Sequence, residues 1–299
     1  MSAITRFLKT LLLFLGFLAG STPLLAQAKQ VQATPSLWHI QGEQSEIYLL
    51  GSVHVLPPNI AWRTPAITTA LARSDVFVFE VPQDQSAMTE LNTLIQAKGF
   101  LPEGESLRRQ LPPAALSDYD AAVQASGLPP GMVEHERPWL AGLQMMFAQI
   151  GKMKFAADSG VDSVLMGEVA RDQKQMRYLE TVAEQFALLA PDDRRLELQE
   201  FESSLKDLRD VAGELGPMVK AWSAGDQVTL DKVINGDLDE FPEARKLLLD
   251  DRNARWVPKL KAMLKEKHVF FVTVGAGHLT GPKGVPALLR KDGYKVEGP

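Results

Sequence analysis

The chain has 299 residues, with 32 lysines and arginines against 37 aspartates and glutamates, and no cysteine. A net charge of −5 argues against nucleic acid, whose phosphates want a basic face. Without cysteine there is neither a disulfide nor a lipidated terminus, so stability must come from an ordinary buried core. The chain opens on what reads as a secretory signal: Arg6 and Lys9, an apolar run from Leu11 to Leu18, and a small-x-small site at Ala26-Gln-Ala28. That run is too short to span a bilayer, and no later segment is apolar for long enough. Cleavage after Ala28 and a periplasmic or secreted destination are expected. Processing would remove two positive charges and leave a single domain over residues 29–299, with 30 basic against 37 acidic side chains, a net charge of −7.

Leu37 to Ile40 and Ile47 to Leu50 are β-rich runs around a turn-prone Gly42-Glu-Gln-Ser45, which predicts a hairpin leading into Gly51-Ser-Val-His54. A helix is expected over Arg63 to Ser74, then a fully apolar strand, Asp75 to Glu80, of the kind buried on both faces of a helix-covered and usually parallel sheet. From about residue 84 to 167 the periodicity is helical, punctuated by Pro112-Pro113 and Pro129-Pro130-Gly131, and reads as a helical insertion or cap. Within it Leu140, Leu143, Met146, Phe147 and Ile150 form one stripe, read as core packing in preference to a ligand surface.

Strand character returns at Gln175 to Glu180, and Thr181 with Glu184 has capping-box spacing. Polar helical stretches follow over 191–220 and 243–267. His268 to Val274 is the strongest strand and runs into Gly275-Ala-Gly-His278; a helix over Val285 to Arg290 and a last strand over Tyr294 to Val296 close the chain. The expected class is α/β, a mixed and largely parallel sheet flanked by helices.

His54, Glu80, Glu180 and His278 each sit at the carboxyl end of an expected strand, where ligands bind in open α/β sheets. The glycines ahead of the histidines remove side-chain bulk and permit unusual turns. Two imidazoles with one or two carboxylates suit a divalent metal, and the same set without metal suits acid–base work. His39, His135 and His268 read as surface or satisfied residues. Arg252 and Asn253, beside Asp250 and Asp251, read first as a solvated helix face. No phosphate-binding glycine loop and no Gly-x-Ser-x-Gly elbow is present.

At Tyr48 to His54, Phe79-Glu80, Pro138-Trp139, Gly160-Val-Asp162, Leu179-Glu180-Thr181 with Gln185, Arg252-Asn253 with Trp256, and Val274 to Leu279, the sequence resembles the TraB/GumN family, which includes the Tiki proteins. The resemblance implies a fold similar to the haem-binding ChaN proteins and the erythromycin esterases. It implies a metal-dependent hydrolase acting on peptides, with His54, Glu80 and His278 as ligands to manganese, cobalt or zinc. Glu180 would be the general base or a residue behind the ligands. Arg252 and Asn253 would hold a substrate carbonyl or carboxylate, with Ser52 and Gly277 lining the substrate site. Two other readings stay open on the same residues: a binding protein for haem or a peptide, and a metal-independent esterase-like hydrolase.

Overall fold

The computed structural model describes residues 30–299 apart from 130, 154, 240 and 241; the expected signal segment lies outside the described residues. Among the described residues eight strands are formed: β1 (Val31–Gln32), β2 (Leu37–Gln41), β3 (Glu46–Ser52), β4 (Ile60–Ala61), β5 (Val76–Phe79), β6 (Gln175–Tyr178), β7 (Val269–Gly275) and β8 (Val296–Glu297). β1 and β4 make a small parallel pair, and the other six form one sheet in the order β6-β5-β7-β3-β2-β8. β6, β5, β7 and β3 run parallel, whereas β2 pairs antiparallel with both β3 and β8. The expected hairpin is therefore β2–β3, and the last strand closes the sheet's far edge.

Side chains alternate across each strand. Leu50, Phe77, Phe79 and Phe271 enter one buried cluster, while Ile47, Leu49, Val76, Val78, Phe270 and Val272 enter another on the opposite face. Both faces are covered, which is why these strands read as continuous apolar runs instead of alternating ones. The Asp251–Met263 helix covers the second face with Trp256, Val257, Leu260 and Met263, joined by the Val285–Lys291 helix. The first face lies under the helical middle, including helices Gln85–Lys98, Leu116–Ser126, Pro138–Lys152 and Val161–Arg171. Leu140, Leu143, Met146 and Ile150 of the apolar stripe are packed in that core, with Phe147 partly buried against it.

The expected helix over 191–220 is broken. Asp193 caps Arg194–Ser204, a short 3-10 turn follows, and Asp210 caps Val211–Ser223. These two carboxylates each accept from backbone N–H groups at a helix start and so open a new helix inside what polarity alone makes continuous. The stretch 243–267 changes pitch, with a π-helical turn at Lys246–Asp250 ahead of Asp251–Met263.

Candidate functional site

β3 and β7 are parallel neighbours with Ser52 opposite Gly275, so both glycine-histidine segments leave the sheet side by side. A Cβ on Gly51 would stand 3.0 Å from the Ala276 Cα, so a glycine here lets the two segments pack directly on each other. Neither Gly51, Gly275 nor Gly277 has a positive φ. The expectation of unusual turns at these glycines is thereby corrected: close approach is what Gly51 provides. Two buried side chains from the helical stretch between β6 and β7 then pin the segments: Trp222 Nε1 donates to the Gly51 carbonyl at 2.8 Å, and Asn235 Nδ2 to the Gly277 carbonyl at 3.1 Å.

Glu80 and Glu180 extend the ladder beyond β5 and β6, the Glu180 N–H donating to the Glu80 carbonyl at 2.7 Å. Between their carboxylates lies Arg252, fully buried. Its Nε donates to both Glu180 oxygens at 2.9 and 3.0 Å, and one terminal nitrogen donates to Glu80 and to Glu180 at 2.7 Å each. The other donates to the Leu248 carbonyl at 3.3 Å and to His278 Nε2 at 2.7 Å. The guanidinium also lies over the Trp256 ring, 4.6 Å from its centroid, and Trp256 Nε1 donates to Glu180. Glu80 accepts in addition from the Gly275 N–H and from Gln185.

An arginine can only donate, which settles the tautomer of His278. Nε2 accepts from Arg252, so Nδ1 carries the proton and donates it to Asn253 Oδ1 at 2.7 Å, while Asn253 Nδ2 donates to the Lys283 carbonyl. Burial, the Arg252 charge and His54 hold this imidazole well below the usual histidine range, so it is neutral. Burial also pushes Glu80 above the ordinary carboxylate value, with Arg252 and His54 opposing.

His54 belongs to a neighbouring arrangement. Its Nδ1 lies 2.6 Å from Asp162 Oδ2, a charge pair that lacks hydrogen-bond alignment, and its Nε2 has no hydrogen-bond partner among the described residues. Burial is the largest influence on this ring and pushes its pKa down, but Asp162 and then Glu80 outweigh it, leaving the value raised. The histidine also feels the Arg252 charge, and His278 feels that of His54 in turn. Asp162 is delivered by the start of the Val161–Arg171 helix, whose cap Gly160 packs against His54. A Cβ there would lie 2.1 Å from the His54 carbonyl oxygen.

Of the residues singled out from sequence, Glu80, Glu180, Arg252, Asn253 and His278 thus form one contact network, with His54 beside it. Ser52 and Gly277 do not join: the Ser52 hydroxyl is buried without a hydrogen-bond partner, and the Gly277 carbonyl is taken by Asn235. Asp162, Gln185 and Trp256 stand in the matching segments without a residue pattern of their own that points to a role, and Trp222 and Asn235 carry no signal in a single sequence. His39, His135 and His268 are satisfied by Glu46, the Glu105 carbonyl and Asp75.

The donor types suit a divalent ion, but their arrangement does not. An ion on His278 needs the lone pair that Arg252 occupies, and both Glu80 oxygens accept from other groups. Among the described residues no three histidine or acidic side chains converge as a cation cage. As arranged, His54, Glu80 and His278 do not fit a shared metal. The network is also covered, with none of His54, Glu80, Glu180, Arg252, Asn253 and His278 more than 5% exposed.

The class is defined by this arrangement: a mostly parallel α/β sheet with two histidine loops, two strand-end glutamates and a buried arginine at one rim. The chain belongs to the TraB/PrgY/gumN family, whose model matches residues 36–298. It is similar to the protein named Metalloprotease TIKI1 of Danio rerio, 26% identical over 87% of this chain and 62% of that protein. It also resembles an uncharacterized protein of Treponema pallidum (strain Nichols), 20% identical over 91% of this chain and 84% of the other. The chain thus spans less than two thirds of the Danio protein's length. No solved structure matches it significantly. Among the described residues no helix is long and apolar enough to cross a membrane.

Proposed function

We propose that the chain is a hydrolase of peptide bonds in which His54, backed by Asp162, is the acid–base group. The observation that carries this reading is a buried imidazole with one nitrogen against a carboxylate and the other without a partner, beside a network that brings two glutamates and an arginine to the same sheet edge. His54 Nε2 takes a proton from water as the water oxygen adds to the peptide carbonyl carbon. The same proton then passes to the departing amine nitrogen as the C–N bond breaks. Asp162 stabilises the imidazolium in between, the role a carboxylate behind a catalytic histidine fills. Arg252 holds both glutamates and neutral His278 in place. Entry of a peptide requires the helical cover to part, since the network is closed to solvent.

The name of the Danio relative supports peptide cleavage and raises metal dependence. In this chain metal binding at His278 would require Arg252 to withdraw, so no step is assigned to an ion. Cleavage of a peptide library by the mature protein, with and without chelator and beside His54→Ala and His278→Ala, tests the reading. Loss of cleavage by about a hundredfold or more is expected for His54→Ala. Full cleavage by that variant would refute the proposal, and abolition by chelator alone would transfer the chemistry to a metal.

A further inference from the structure

A second feature adjoins this network. A cavity of about 200 Å³ is walled chiefly by Trp139, Leu188, Leu189, Leu196, Leu247 and Leu248, with Glu200 and Glu243 also in its lining and no lysine or arginine there. Two of its walls come from the elements that reach the candidate site. Leu188 and Leu189 lie three and four residues beyond Gln185, which donates to Glu80. Leu248 lies four residues before Arg252 and accepts from it through its carbonyl. Three to four residues are one helical turn, about 5.4 Å along the axis, so the cavity stands one turn from the network on both elements.

Its size and lining restrict what it takes. Pockets for whole ligands run to several hundred Å³, so this volume suits one side chain. Leu196 and Leu247 are 47% and 51% exposed, a pair of large apolar side chains left half in water at the cavity. Burial and the neighbouring Glu197 raise the Glu200 carboxyl, so a cation placed there would relieve an unfavourable charge. Glu197 is already paired with Arg137, which leaves Glu200 and Glu243 to set the sign of the potential.

We infer that this cavity is the substrate's specificity subsite, receiving an apolar side chain of leucine to phenylalanine size that stands next to a cationic group. The inference rests on the hydrolase reading for the word substrate, but its binding chemistry can be tested without turnover.

The probes are leucinamide, which has both features, N-acetyl-leucinamide, which lacks the cation, and glycinamide, which lacks the side chain. Each is titrated into the full mature chain, and the leucine methyl resonances are followed by NMR. Leucinamide should bind about tenfold more tightly than glycinamide, the discrimination one apolar side chain can supply, and should shift the Leu196 and Leu247 methyls. N-acetyl-leucinamide should bind a few-fold more weakly than leucinamide, and that gap should close in the Glu200→Gln, Glu243→Gln double variant. Leu196→Asp and Leu247→Asp, at half-exposed positions, should remove the leucinamide preference. Peptide cleavage is measured alongside. Leucinamide binding at the cavity without cleavage of any peptide supports the subsite and sinks the hydrolase reading. Cleavage indifferent to apolar residues, with no methyl shift at Leu196 or Leu247, overturns the subsite and leaves the hydrolase reading standing.

Discussion

Arg252 is the side chain on which the candidate site is assembled, because a guanidinium's fixed fork can serve Glu80, Glu180 and His278 at once. Replacing it with methionine keeps the volume but leaves two buried carboxylates facing one another with no compensating charge. Breaking a buried pair from one side costs about 3–5 kcal/mol, and that loss is expected for Arg252→Met in urea unfolding at pH 7. The Glu80 carboxyl, already raised by burial, would then lose the Arg252 charge that opposes the rise, so its folded pKa would stand further above its unfolded one. Stability from such groups is present below the unfolded pKa and lost as pH rises, so the deficit should shrink at pH 5. A deficit under about 1 kcal/mol, or one that does not depend on pH, would contradict this account of the network. The two histidines divide the pH axis between them. His278 is lowered well below 6.5, so the unfolded chain takes up a proton that the folded chain refuses, and stability falls as pH drops below 6.5. His54 is raised above 6.5, so its contribution is complete below that value and disappears as pH climbs through the folded pKa. Each limb is worth at most about 1.4 kcal/mol per pH unit. His278→Gln should flatten the acid limb relative to the unsubstituted chain, and His54→Gln the alkaline one. Unchanged difference curves would show that neither ring is held as its surroundings indicate.

At the scale of elements, strand ends were the legible part of the site. His54, Glu80 and His278 follow apolar strands covered on both faces, a pattern that marks a sheet under helices, whereas Glu180 follows β6, an edge strand with Gln175 exposed and Met176, Arg177 and Tyr178 half-buried. Arg252 was harder to read, because Asp250 and Asp251 beside it suggest a wet helix face. Yet Arg252, Trp256, Leu260 and Met263 are spaced four, four and three apart, and all are buried on one stripe of the Asp251–Met263 helix. A charged residue in register with an apolar stripe is a buried charge that needs a partner, which is the local signal that was available. Asp162 lacked any such cue: it meets His54 only because a helix start is laid against the first histidine loop. That contact depends on Gly160, whose missing Cβ lets the helix close to within backbone distance of His54, while the Val161 N–H donates to the Val53 carbonyl at 3.1 Å. Gly160→Ala must displace one backbone or the other. It should separate Asp162 from His54 and return the imidazole pKa, read by NMR titration, from above 6.5 to below it, since burial alone pushes it down. A value still above 6.5 in the alanine variant would show that Asp162 does not depend on this approach.

Across the whole molecule a second buried arginine does for the helical middle what Arg252 does for the sheet edge. Arg137 donates to Glu197 through two nitrogens, at 3.1 and 2.6 Å, and to the carbonyls of Lys98 and Pro191. Glu197 also accepts from the Trp139 N–H, so one ion pair ties together the end of the Gln85–Lys98 helix, the start of Pro138–Lys152 and the turn before Arg194–Ser204. These segments are far apart in sequence and carry no strand pattern to align them, which is why the helical character of this region was legible but its internal arrangement was not. Glu197→Gln keeps the shape and leaves the Arg137 charge, 5% exposed at its side chain, without its counter-ion. The expected cost is about 3–5 kcal/mol. Because the pair holds helices to one another and touches none of the six sheet strands, the loss should be uneven. Amide hydrogen exchange should accelerate in residues 138–152 and 194–204, while the β3 and β7 amides remain protected under native conditions. Exchange that rises equally in the sheet and the helices would mean that cover and sheet unfold as one unit. The parting of the helices required for a peptide to reach His54 could then not occur without loss of the fold.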